Sequence, residues 1–129
     1  NKQTMANLVF ESEMHHKSGT INMRLNVLLF QEDGVYIAYC APLDLSAFGN
    51  TEEEAKKEFE ATISQYFSYC LNKNTLGEDL KRHGWAVKGK RKYRAPSDES
   101  MLNHNETYKD IKENKQYKIV EKTITIPVA

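Results

Sequence analysis

The sequence predicts an α+β fold, an antiparallel three-stranded meander covered by one long helix and followed by a short helix and C-terminal strands. Three observations lead there. Met23, Leu25, Val27 and Leu29 fall on one side of a pleat, the period-two pattern of a half-buried strand. Asp33-Gly34 follows, a dipeptide suited to a tight primed turn because Gly takes positive φ without steric cost. Thr51-Glu52-Glu53-Glu54 fits a capping box, and Ala55, Phe59, Ile63, Tyr66, Phe67 and Cys70 then recur at the spacing of an amphipathic helix.

Residues 1–20 read as an N-terminal extension, in which Asn7-Leu8-Val9-Phe10-Glu11 fits an extra edge strand. The first meander strand spans Met23–Gln31. After the Asp-Gly turn, Val35, Ile37 and Tyr39 alternate with Tyr36, Ala38 and Cys40 in a returning strand rich in β-branched and aromatic residues. Pro42 marks a corner, and a short third strand is expected over Leu45–Phe48. The long helix starts at Thr51, with Glu52–Lys56 and Glu53–Lys57 as favourable i,i+4 pairs on its solvent side.

Thr75-Leu76-Gly77-Glu78 fits a second capping box, and Gly84 fits the C′ position that ends a helix of about two turns. His83, in that last turn, suits the negative end of the helix dipole. Trp85-Ala86-Val87 enters a strand. Residues 95–116 have mixed charge, few apolar residues and no period, so a long flexible loop is expected. Tyr117–Val128 regains strand alternation and would complete the sheet or cross to a second protomer, giving a homo-oligomer. The chain thus divides into the extension, a module over 21–94, the loop and a terminal strand over 117–129.

With 129 residues the chain is expected to form one domain. No run approaches the ~20 apolar residues of a membrane helix, and no signal peptide is visible, so a cytoplasmic location is the default. Cys40 and Cys70 suit buried free thiols. Residues 1–72 carry five Lys/Arg against ten Asp/Glu, a net of −5, and residues 73–129 carry thirteen against eight, a net of +5. An acidic module suits a basic partner, or simply solubility.

Asp33, Gly34, Tyr36, Ala38, Tyr39, Pro42, Asp44, Gly49, Thr51, Glu53, Glu54 and Ala55 stand in the order of the HicB-like antitoxins of bacterial toxin–antitoxin systems. The resemblance covers roughly residues 21 to 72, with support from Gly84-Trp85, and departs from the family at Leu43-Asp44-Leu45-Ser46 and Asn50. It implies a partial RNase-H-like β-β-β-α fold without nuclease activity, binding a small basic RNA-cleaving toxin of the HicA type. Toxin-binding groups on the second and third strands and the corner would be Tyr36, Tyr39, Asp44 and Phe48, with acidic support from Glu52 and Glu53. A ribbon-helix-helix DNA-binding segment would begin at Thr123-Ile124-Thr125-Ile126-Pro127, but no helices follow in this sequence, so operator binding is not expected.

Other chemistries are weaker. Two-metal nuclease catalysis needs several converging carboxylates, whereas the strands and corner supply only Asp33 and Asp44. The adjacent His15-His16 lacks the partner ligands a zinc site requires. Neither metal nor cofactor is expected, and no catalytic residue is assigned. The alternative function is nucleic-acid binding through Lys88, Lys90, Arg91, Lys92, Tyr93 and Arg94, where cations could meet phosphates and the Tyr could stack on a base. The same run also suits an edge strand protected by Lys.

Overall fold

The computed structural model describes residues 11–15, 20–89 and 92–127. In chain order these form β1 (Glu11–His15), β2 (Thr20–Glu32), β3 (Val35–Cys40), β4 (Leu45–Gly49), α1 (Glu52–Lys73), α2 (Leu76–Arg82), β5 (Ala86–Gly89), β6 (Lys92–Arg94), α3 (Asp98–His104), α4 (Glu106–Asn114) and β7 (Tyr117–Pro127). The class is α+β, and every strand pairing among the described residues is antiparallel.

β2 organises the sheet. β7 lies along it from Thr20↔Pro127 to Phe30↔Tyr117 and so occupies one edge for eleven consecutive pairs. A strand has two edges, so β1 and β3 share the other one, β1 against Thr20–Met23 and β3 against Leu28–Glu32. β4 continues outward from β3, while β6 and then β5 continue outward from β1. The sheet therefore forks. One end reads β4-β3-β2-β7 and the other β5-β6-β1-β2-β7.

Both faces are covered. On the first, Met23, Leu25, Val27 and Leu29 of β2 join Ala38, Cys40 and Ala47 beneath Ala55, Phe59, Ile63, Phe67 and Cys70 of α1. Leu76 and Leu80 of α2 and the Trp85 ring extend the same core. On the second, Leu28, Phe30, Tyr39 and Ala41 lie under Met101, Tyr108 and Ile111 of α3 and α4. Removing a large apolar side chain from water stabilises by roughly 1.5–3 kcal/mol, so neither layer is ornamental.

The joints follow local chemistry. Asp33 and Gly34 both have positive φ, 52° and 80°, as the two central residues of a type I′ turn require. Thr51 Oγ1 accepts the Glu54 N–H at 3.0 Å, while the Glu54 carboxylate accepts the N–H of Asn50, one residue earlier than a capping box has it. Glu52 pairs with Lys118 at 2.8 Å and Glu53 lies 3.6 Å from Lys56, so these contacts replace the expected i,i+4 pairs. The Thr75 side chain makes no capping bond. Helix α2 instead starts directly from the left-handed Asn74 that closes α1. At its far end Gly84 N–H donates to Lys81 O and Trp85 N–H to Leu80 O, a Schellman ending with Gly at C′. Trp85 Nε1 then donates to Pro42 O at 2.7 Å, tying this ending to the β3–β4 corner.

Two expectations are corrected. Residues 95–116 are not a long loop, because α3 and α4 occupy most of them and seal the second face. Ser97 Oγ and Asn105 Oδ1 cap the two helices, and each buries too few residues to leave a readable period. Nor is 1–20 merely an extension, since β1 pairs with both β2 and β6. The strand expected over Asn7–Glu11 lies outside the described residues except for Glu11, the first residue of β1.

Gly49 is where β4 meets α1. A Cβ there would stand 2.5 Å from Ala55 N, so backbone would have to move. Gly49→Ala should destabilise the fold by about 1–3 kcal/mol, the usual range for overpacking, read as a lower urea midpoint at unchanged slope. A midpoint like the parent's would show that the strand–helix joint is loose.

Candidate protein-binding surface

The β3–β4 hairpin lies at one margin of the sheet. Leu45, Ala47 and Gly49 face α1, so Ser46 and Phe48 point the other way by strand alternation. Phe48 is 59% exposed, although its cross-strand neighbour Ile37 packs against the second core cluster. The ends of β3 carry exposed carboxylates, Asp33 in the turn and Asp44 in the corner. Six residues separate those ends, about 20 Å at the rise of a strand. An aromatic side chain therefore stands free on an edge strand between two acidic groups.

The other residues singled out from the sequence do not join one patch. Tyr39 is 3% exposed, which corrects its expected place at the surface. Its ring packs in the second cluster, and its hydroxyl donates to Asp44 Oδ1 at 2.7 Å and accepts from Asn105 Nδ2 at 2.8 Å. Asn105 ends α3 and caps α4, so this chain of bonds anchors the helical cover to the corner. Tyr36 lies on the opposite face, half-buried at the rim of the α1 cluster. Glu52 is turned toward Lys118 of β7, and Glu53 is exposed on α1. Only Phe48 and Asp44 of the six contribute to the exposed surface beside β3.

The basic run divides as well. Lys88 and Lys92 lie on β5 and β6, whereas Lys90 and Arg91 fall outside the described residues. Tyr93 packs against the first core cluster, and Arg94 is exposed. His15 is on β1 and His16 is outside the described residues. His83 Nδ1 lies 2.9 Å from Asp79 O in the last turn of α2. No group of three or more His, Cys, Asp and Glu among the described residues is placed to hold a metal ion. No helix among them is long and apolar enough to cross a membrane.

Cys40 and Cys70 are free and buried, and burial pushes the Cys40 thiol up to about 12. Two exposed apolar residues escaped the sequence reading. Tyr69 is 65% exposed on α1 and Ile119 is 40% exposed on β7. Tyr69 was legible as an aromatic off the apolar stripe, but Ile119 sits in an ordinary strand alternation. Comparison with protein-family models, curated proteins and solved structures gave no match.

Tyr39, Tyr66 and Tyr108 each donate to a carboxylate, of Asp44, Asp79 and Asp98 respectively. Burial first, and the neighbouring carboxylate second, holds all three hydroxyls protonated well above the ordinary tyrosine value near 10. Below pH ~10 both folded and unfolded chains keep these protons, so stability is unaffected. Above it the unfolded chain releases them first, and stability should fall by up to about 1.4 kcal/mol per pH unit for each tyrosine. Urea midpoints measured from pH 8 to 11 should drop past 10, less steeply in Tyr39→Phe, and a flat profile would count against the pairs.

Proposed function

We propose that this chain is a non-catalytic, HicB-like antitoxin that binds and neutralises a small basic RNA-cleaving toxin of the HicA type. The observation that carries the reading is Phe48, exposed on edge strand β4 between the carboxylates at the two ends of β3. Such an edge accepts a partner strand through backbone hydrogen bonds, and a free aromatic supplies the anchor typical of binding hot spots. Acidic flanks favour encounter with a basic partner. The ordered residues of the family resemblance, Asp33-Gly34 to Glu54-Ala55, run from the β2–β3 turn through this hairpin to the start of α1. In this reading β2, β3, β4 and α1 form a partial RNase-H-like core without nuclease chemistry.

Nucleic-acid binding is the alternative, and Tyr93 weighs against it because its ring is partly committed to the first core cluster. Salt separates the two, since phosphate binding weakens steeply by counterion release. Affinity capture from the native cell extract on the tagged full chain, at physiological and raised salt, should recover a small basic protein at both. Recovery of nucleic acid alone, lost in high salt, would overturn the proposal. Phe48→Ala should reduce protein recovery at least about tenfold while changing stability by less than about 0.5 kcal/mol.

A further inference from the structure

We infer that α3 and α4 form one lid, which lifts from the sheet as a unit while the first layer stays folded, and exposes the apolar strip beneath it. The strand registers define that strip. Phe48, Ile37, Phe30 and Tyr117 lie side by side across β4, β3, β2 and β7. The neighbouring row on the same face is Ser46, Tyr39, Leu28 and Ile119. The lid covers less than the strip. Leu28, Phe30 and Tyr39 in the middle are buried, whereas Phe48 at one end of the first row and Ile119 at the opposite end of the second are exposed. A narrow cleft lined by Leu28, Met101, Tyr108 and Ile119 runs between lid and sheet on the Ile119 side.

The lid depends on its docking. α3 has seven residues and α4 nine, and isolated helices shorter than about 12–15 residues are marginal in water. Both therefore exist because Met101, Tyr108 and Ile111 are buried on the sheet. On the other face α1 alone buries Ala55, Phe59, Ile63, Phe67 and Cys70, and α2 and Trp85 add to it. The second layer is thus the weaker one.

The two helices are also bound to each other. The Tyr108 hydroxyl of α4 donates to Asp98 of α3, and Asn105 ends one helix and caps the other. Asn105 Nδ2 ties the pair to the sheet through the Tyr39 hydroxyl at 2.8 Å, and Lys115 reaches Glu32 from the hinge itself. The chain on either side is fixed, by Ala95 in the first core and by Tyr117 at the start of β7. Lifting residues 98–114 therefore breaks none of the described strand pairings, and segments held in this way open more readily than the whole fold. The lid goes beyond the antitoxin reading, because it holds whatever partner meets Phe48.

Native-state hydrogen exchange on the full chain in low urea should bring the slowest amides of α3 and α4 to one shared opening equilibrium, at least about tenfold more open than that of α1. Ile63→Val weakens the first core alone, so it should raise the opening of α1 by about two- to tenfold and leave that of the lid unchanged. In Leu28→Cys the introduced thiol, under the lid, should react with dithiobis(nitrobenzoate) at least about tenfold faster than Cys40 and Cys70, which lie in the first core. Helices α3 and α4 that open separately, an Ile63→Val effect shared by lid and α1, or thiols that all react at one rate would each overturn the inference.

Discussion

Everything in this fold depends on β2 being buried on both faces. Successive side chains of a strand point opposite ways. Met23, Leu25, Val27 and Leu29 therefore demand one helical layer, and Leu28 and Phe30 demand another. The first demand is met by α1 and α2, and the second by α3 and α4. Occupying one edge of β2 completely with β7 then leaves β1 and β3 to divide the other. The forked sheet is thus a consequence of one long central strand, not of separate domains.

The layers are fixed by a few polar ties set into apolar contacts. Lys118 and Lys122 of β7 reach Glu52 and Glu60 of α1. Four residues of strand rise about 13 Å and eight of helix about 12 Å, so the two pairs stay in step. Lys112 of α4 sits over the rings of Tyr108 and Tyr117, 5.6 and 5.3 Å from their centres, and Lys115 reaches Glu32 at 3.4 Å. The three ion pairs join elements far apart in sequence, while Lys112 holds the α4–β7 junction. The Tyr39, Tyr66 and Tyr108 hydroxyls make shorter-range ties at the corner, the α1–α2 junction and the α3–α4 pair.

The first half of the chain was legible because its signals are local. The primed turn at Asp33-Gly34, the Thr51 cap and the stripe from Ala55 to Cys70 each concern residues within a few positions of one another. The second face was not. Met101, Tyr108 and Ile111 are separated by a helix break at Asn105, so no period survives. For the same reason Tyr39 could be assigned to a side of the strand but not to the interior. Strand alternation says which way a side chain points, and only tertiary contact says what it meets. Phe48 shows the converse, exposed although its neighbour Ile37 is covered.

The pairing of β2 with β7 also sets an order of events in the cell. Thr20 meets Pro127, 127 − 20 = 107 positions later, and even Phe30 and Tyr117 are 87 apart. Closing so long a loop is entropically costly and slow compared with forming the β2–β3 hairpin. Ribosomes add roughly 5–20 residues per second, so for several seconds of synthesis the central strand has one edge without its permanent neighbour. During that interval the nascent chain is a template for any extended segment nearby.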